Sequence, residues 1–175
     1  MNTHNIPDRL HDMRVYGDSS KVMYGLATVN LPDFEYLTET MKGAGIAGEF
    51  ESIAPGLLKG LELGLEFNTV TDDVFDLAKP TSHYIDCRMA LNIVDGGDGA
   101  PKSEGWRVVA KGVPKSVKLG KAEASAQMGS SVALSCTYVK ITKGSKTIAE
   151  VDILNYVCNF GGTDYLATIR SILGL

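Results

Sequence analysis

Histidine, cysteine and tryptophan are scarce in this chain: three, three and one among 175 residues. No run of apolar residues approaches the ~18 needed to cross a bilayer as a helix. The histidines, His4, His11 and His83, fall in no H-x-x-x-H or H-E-x-x-H spacing, which excludes the common zinc motifs. Cys87, Cys136 and Cys158 form no C-x-x-C pair. Three widely spaced thiols, each inside an apolar or alternating stretch, read as buried and reduced, as expected of a chain made and folded in a reducing cytoplasm. The N-terminal stretch from Met1 to Pro7 lacks the basic-then-apolar order of a targeting segment. The net charge of −4 offers no cationic excess for gripping nucleic acid. G-x-S-x-G is absent as well, so no catalytic constellation, metal or cofactor is expected.

What is present includes a literal G-x-G-x-x-G, Gly43-Ala44-Gly45-Ile46-Ala47-Gly48. A dinucleotide loop requires a buried strand before it and a helix opening at its last glycine, so that backbone N–H groups meet the pyrophosphate. Here the preceding stretch, Tyr36 to Lys42, is mostly polar. The following one carries Glu49 and Glu51, which would repel phosphate, and Pro55-Gly56, which would break a helix within two turns. The motif fails both tests of context. Gly144-Ser145-Lys146-Thr147 likewise joins two predicted strands and has a serine between glycine and lysine, so it is no P-loop.

Period-two alternation dominates the rest. Over 57–68, Leu61, Leu63, Leu65 and Phe67 share one face, and Glu62, Gly64, Glu66 and Asn68 the other. Further strands are predicted at 13–17, 21–29, 83–93, 106–117, 131–142 and 146–157, the last two forming a hairpin through Lys143-Gly144-Ser145. In 146–157, Ala149, Val151 and Ile153 oppose Glu150 and Asp152. A short helix near 71–79 is predicted with Thr71 as its cap and Lys79-Pro80 as its stop. A second, near 163–173, carries Leu166, Ile169, Ile172 and Leu173 as a stripe expected to pack on the β body, with Gly174 ending it. Residues 30–56 form a long irregular arm, and 95–101 and 118–129 are turn-rich or polar connections. Arg107, Lys111, Lys115, Lys118 and Lys121 make a basic stretch without interleaved aromatics, read as a solvated edge. The fold class is mainly β: a single domain over 1–175, a barrel or sandwich of two packed sheets with two short helices and an extended arm.

Several segments in order resemble the major tail tube protein of contractile-tailed bacteriophages and the related tube subunits of R-type bacteriocins. They are Val29-Asn30-Leu31-Pro32 followed by Met41 to Gly48, then Gly60 to Phe67. The most specific run is Cys136 to Ile141, a turn, Ala149 to Asn155, and finally Gly161-Gly162-Thr163-Asp164 and a terminal helix ending Leu173-Gly174-Leu175. The likeness covers about 13–175 and is loosest over 81–105.

The resemblance implies a structural protein rather than an enzyme, with six protomers to a ring and rings stacked into a hollow tube. The type VI secretion tube subunit is similar in fold. The expected partners are further copies of the chain, a tail sheath protein, and baseplate and tail-terminator proteins. DNA is expected only as transient, non-specific cargo, and the setting is a virion tail assembled in the bacterial host cytoplasm. On this reading Glu62, Glu66, Glu150 and Asp152 are candidates for the lumen face. Gly43, Gly45, Ile46, Gly48 and Phe50 are candidates for contact between subunits. A headless bacteriocin tube, a terminator or baseplate ring protein, and a small ligand-binding β-barrel using 43–48 remain as alternatives.

Overall fold

Alternating side chains become strands that pair into one large sheet and one small one. In this computed structural model, residues 5–18, 22–43 and 45–175 are described; His4, Lys21 at the head of the predicted 21–29 strand, and Ala44 of the glycine motif lie outside them. Among the described residues the order is β1 (Ile6–Tyr16), β2 (Leu26–Asn30), β3 (Tyr36–Lys42), β4 (Glu49–Leu58), β5 (Leu61–Phe67), α1 (Asp72–Leu77), β6 (His83–Val94), β7 (Pro101–Lys118), β8 (Ser130–Lys143), β9 (Lys146–Asp152), β10 (Val157–Phe160), β11 (Thr163–Asp164) and α2 (Ala167–Leu173).

β8 is the hub of the nine-stranded sheet. One edge pairs with β7, which continues through β6 to β1. The other edge is divided: Ser130–Cys136 pairs with β5, which carries β2, and Tyr138–Lys143 pairs with β9, which leads to β10 and β11. Thr137 lies at the fork. It is skipped in the register with β7, where Lys111 faces Tyr138 and Gly112 faces Cys136, so it forms a one-residue bulge. Its carbonyl accepts the N–H of Ile153.

The core lies on one side of this sheet. Leu61, Leu63, Leu65, Phe67, Val132, Leu134, Val139, Val151, Ile85, Val108 and Val15 are buried there, joined by Val74 and Leu77 of α1 and by Leu166. A flat sheet could not bury one whole face by itself, so the two wings wrap around a common interior. The expected barrel is therefore not closed, and the second sheet is only the two-stranded pair β3–β4.

Four local expectations change. The 57–68 strand is cut at 59–60, because Leu57 and Leu58 end the arm strand β4 and only β5 pairs with β8. The 146–157 strand stops at Asp152. Its carboxylate accepts the N–H groups of Leu154 and Asn155 and turns the chain, leaving Ile153 outside. Thr71 occupies the α1 N-cap position without a side-chain cap hydrogen bond, and its Oγ1 is buried without a partner among the described residues. The terminal helix begins at Ala167, since Thr163–Asp164 pairs with β10 and Asp164 holds the N–H groups of Cys158 and Leu166. Of its predicted stripe only Leu166 is buried, and it precedes the helix; Ile169 is 43% and Ile172 75% exposed.

Candidate functional site

The glycine motif is the tip of a hairpin. β3 and β4 pair from Thr38↔Ile53 to Lys42↔Glu49, and residues 43–48 connect them. The N–H of Ile46 bonds to the carbonyl of Gly43, and Gly45 has φ +90°, a conformation that suits glycine and reverses the chain. No strand feeds into a helix here, so the phosphate-cradle geometry is absent. Among the described residues no group of three His, Cys, Asp or Glu side chains could hold a metal ion. All three cysteines are free and buried, and burial pushes the thiols of Cys87 and Cys136 up to about 11. None is poised as a nucleophile.

The hairpin is instead a two-faced ribbon. Cross-strand pairs share a face, so Glu39↔Ser52 and Met41↔Phe50 lie on one side with Leu37, and Thr40↔Glu51 and Lys42↔Glu49 lie on the other. Leu37, Met41, Ile46, Phe50, Ile53 and Leu57 are all exposed, Phe50 by 51%. A lone two-stranded hairpin is marginal in water, and an uncovered apolar face costs more. The ribbon's base is anchored: Gly56, buried with φ +84°, lies so close to Leu166 that a Cβ would meet its side chain at 2.7 Å. Lys59 also pairs with Glu35.

A second apolar surface adjoins that base. Leu37, Leu57, Ile153, Tyr156 and Val157 line one cleft, with Leu166 against it. Beyond it, Leu154, Tyr165, Ile169, Ile172, Leu173 and Leu175 are exposed. α2 is held by polar contacts: Arg170 donates to the carbonyl of Tyr156 at 2.6 Å and pairs with Asp164 at 2.7 Å. Asp164 is buried in a way that would raise its pKa, but bonds from Arg170 and the backbone outweigh this and lower it. The 153–156 turn was not singled out from sequence. Its signal was apolar residues directly after Asp152, where a turn should be polar.

Glu62, Glu66, Glu150 and Asp152 share the sheet face opposite the core, because their partners on β8 (Ser135, Ser131, Lys140 and Tyr138) alternate with its buried residues. That face also carries cations. Lys115 bonds Glu62 at 2.5 Å, and Lys140 bonds Glu150 at 3.1 Å. Tyr138 donates to Glu150, and burial followed by this bond pushes its hydroxyl up to about 12. Glu66 accepts from Asn30, and Asp152 is engaged in its turn.

These features define a mainly β protomer with an exposed arm, an apolar cleft at the arm's base and an exposed C-terminal segment. The family model of the phage tail tube protein FII matches residues 7–174. The chain belongs to that family, whose members are structural tube components of contractile tails. Among curated proteins it is similar to the tail tube protein of Escherichia phage P2, 24% identical and covering 97% of this chain and 99% of that one. Two solved structures share the fold. One is the sheath–tube complex of the extracellular contractile injection system PVC in its extended state (TM-score 0.52, 13% identity, 76% of this chain and 89% of that). The other is the sheath/tube terminator of the same system (TM-score 0.51, 14% identity, 78% and 96%).

Proposed function

We propose that six copies of this chain form a ring and that rings stack into the hollow inner tube of a virion tail, the conduit for DNA ejection. The protein acts structurally, without catalytic activity of its own. It is assembled in the host cytoplasm and meets sheath, baseplate and terminator proteins along the finished tube. The observation that carries this reading is the uncovered apolar ribbon β3–β4, beside an equally uncovered C-terminal segment, on a chain of the tube family. Gly43, Gly45, Ile46, Gly48 and Phe50 make the contact between subunits, and the edge of β1 from Ile6 to Arg14, which pairs with no further strand among the described residues, gives neighbours a strand to extend.

The part of the outer face on β5 and on the β8–β9 pairing, which carries Glu62, Glu66, Glu150 and Asp152, lines the lumen, and the part on β1 and β6 is left for a neighbouring subunit. Of the lysines there, Lys115 and Lys140 are matched to Glu62 and Glu150 and Lys111 lies over the Tyr138 ring, while Lys118, opposite Ser131, stands beside Glu66. With most of this cationic charge engaged beside four carboxylates, DNA gains little from counterion release and slides. Glu62→Lys with Glu66→Lys should permit assembly but slow ejection; ejection at the normal rate would remove this face from the lumen.

Negative-stain microscopy of dilute and concentrated protein tests the main reading. Long tubes are expected. Single rings that do not grow would indicate a terminator-type subunit, the second reading that the likeness to a terminator fold keeps open. Compact particles that bind a nucleotide would overturn both. A tube without a capsid, as in a headless bacteriocin, would use the same subunit contacts.

A further inference from the structure

Three arginines stand directly opposite one another across three adjacent strands. Arg14 of β1 faces Arg88 of β6, and Arg88 faces Arg107 of β7. All three lie on the face opposite the core, since Val15, Cys87 and Val108 beside them are buried. Like charges placed directly opposite in a sheet are destabilising unless something answers them. Asp86 answers two. Its carboxylate, with only 5% of the side chain exposed, takes Arg107 at 2.7 Å and Arg88 at 2.9 Å. Arg88 also lies over the ring of Tyr16. Arg14 is exposed and has no ion pair or hydrogen bond of its side chain among the described residues.

The row borders an open hollow of about 570 Å³. Asp12 and the pair Ala90↔Gly105 also line it, and a Cβ added at Gly105 would meet nothing within 4 Å. Three guanidiniums against Asp86 and Asp12 leave the site positive.

We infer that this hollow receives the polar face of the β3–β4 ribbon from a second copy of the chain, with Glu49 and Glu51 set on the arginine row. This rests on the proposed tube and names where its arm docks. That polar face carries the complementary sign: Glu49 and Glu51 against Lys42, with neither carboxylate in an ion pair among the described residues. Spacing agrees too. Glu49 and Glu51, two residues apart on one strand face, are roughly 7 Å apart, and arginines on three neighbouring strands span roughly 10 Å. Lys42, opposite Glu49, offers a counter-charge to Asp12, which also lines the hollow. The Leu37, Met41 and Phe50 face stays available for apolar contact with the same or another neighbour. A patch complementary to a different patch on an identical chain makes a heterologous interface, which closes into rings or propagates as a filament.

Charge exchange in the full-length chain tests this. Arg14→Glu is the informative change on the body, because Arg88 and Arg107 also hold buried Asp86. Glu49→Arg with Glu51→Arg is its counterpart on the arm, and thermal unfolding of each variant confirms folding. Each alone should raise the protein concentration at half-assembly roughly tenfold, and the two combined in one chain should recover most of that loss. Assembly of Arg14→Glu at the wild-type concentration, or a combined variant no better than either parent, would overturn the docking while leaving the tube intact. Wild-type protein that forms no rings or tubes would overturn both. Altered retention of DNA with unchanged assembly would show the row to be a phosphate site and refute the proposal.

Discussion

Asp86 is a carboxylate buried on the outer side of a sheet, where most polar groups reach water. Burial pushes its pKa up, but hydrogen bonds from Arg107 and then Arg88 outweigh that and hold it below the usual carboxylate range. A folded-state value below the unfolded one, about 3.9, means the stabilisation is fully present above that pH. It is lost as pH falls through the lowered folded value. Asp86→Asn should therefore flatten the fall in stability below about pH 4 seen in denaturant titrations of the wild type. It should also cost about 2 kcal/mol near neutrality, since two arginines lose their shared anion. An unchanged acid slope would show that other carboxylates set it. The buried thiols make a separate test. With Cys87 and Cys136 raised to about 11, a thiol reagent at pH 8 should label the folded chain no faster than it unfolds. Fast labelling of either would contradict the core described above. The outward direction of Glu62 and Glu150 was legible from alternation alone. Their pairing with Lys115 and Lys140 was not, because it depends on cross-strand register, which a single strand's pattern does not contain.

At the scale of elements, the terminal helix separates the two roles an apolar residue can have. Sequence periodicity found its stripe but could not say what covers it, since an interface stripe and a core stripe have the same period. Leu166, 5% exposed, belongs to the protomer core, and Leu166→Ala should cost about 2–4 kcal/mol in unfolding. Ile169→Asp should change monomer stability by less than about 1 kcal/mol and yet suppress assembly, because its face is open in the protomer. A large loss of monomer stability from Ile169→Asp would place that stripe back in the core. Gly56→Ala should be worse than its size implies, by about 2 kcal/mol, combining a left-handed φ with a clash on Leu166. The split of 146–157 into β9, a turn and β10 was missed because Asp152 reads as one more outward residue. Only its local acceptor geometry shows that it turns the chain.

At the scale of the whole molecule, the mainly β class, the hairpin at Lys143-Gly144-Ser145 and the arm over 30–56 were all legible. They follow from period, turn chemistry and a lack of core-forming alternation. The fork at β8 was not legible, since nothing along one strand says that two partners divide its edge. The arm should behave differently in protomer and tube. Amides of 38–54 should exchange quickly in isolated protomers, where the ribbon packs on little besides its base, and slowly in tubes. Equal protection in both states would show that the ribbon needs no neighbour. Assembly should also weaken with added salt, as expected of contacts between exposed charges.

The bulge at Thr137 has a genetic consequence. Loss of one codon at most positions in β8 would turn half the strand over, sending Leu134 or Val139 to water and Ser135 or Lys140 into the core. Loss of the codon for Thr137 itself would leave both halves in phase, because that residue is the one the register already skips. The strand that joins the two wings should thus tolerate a single-residue deletion at the seam and almost nowhere else.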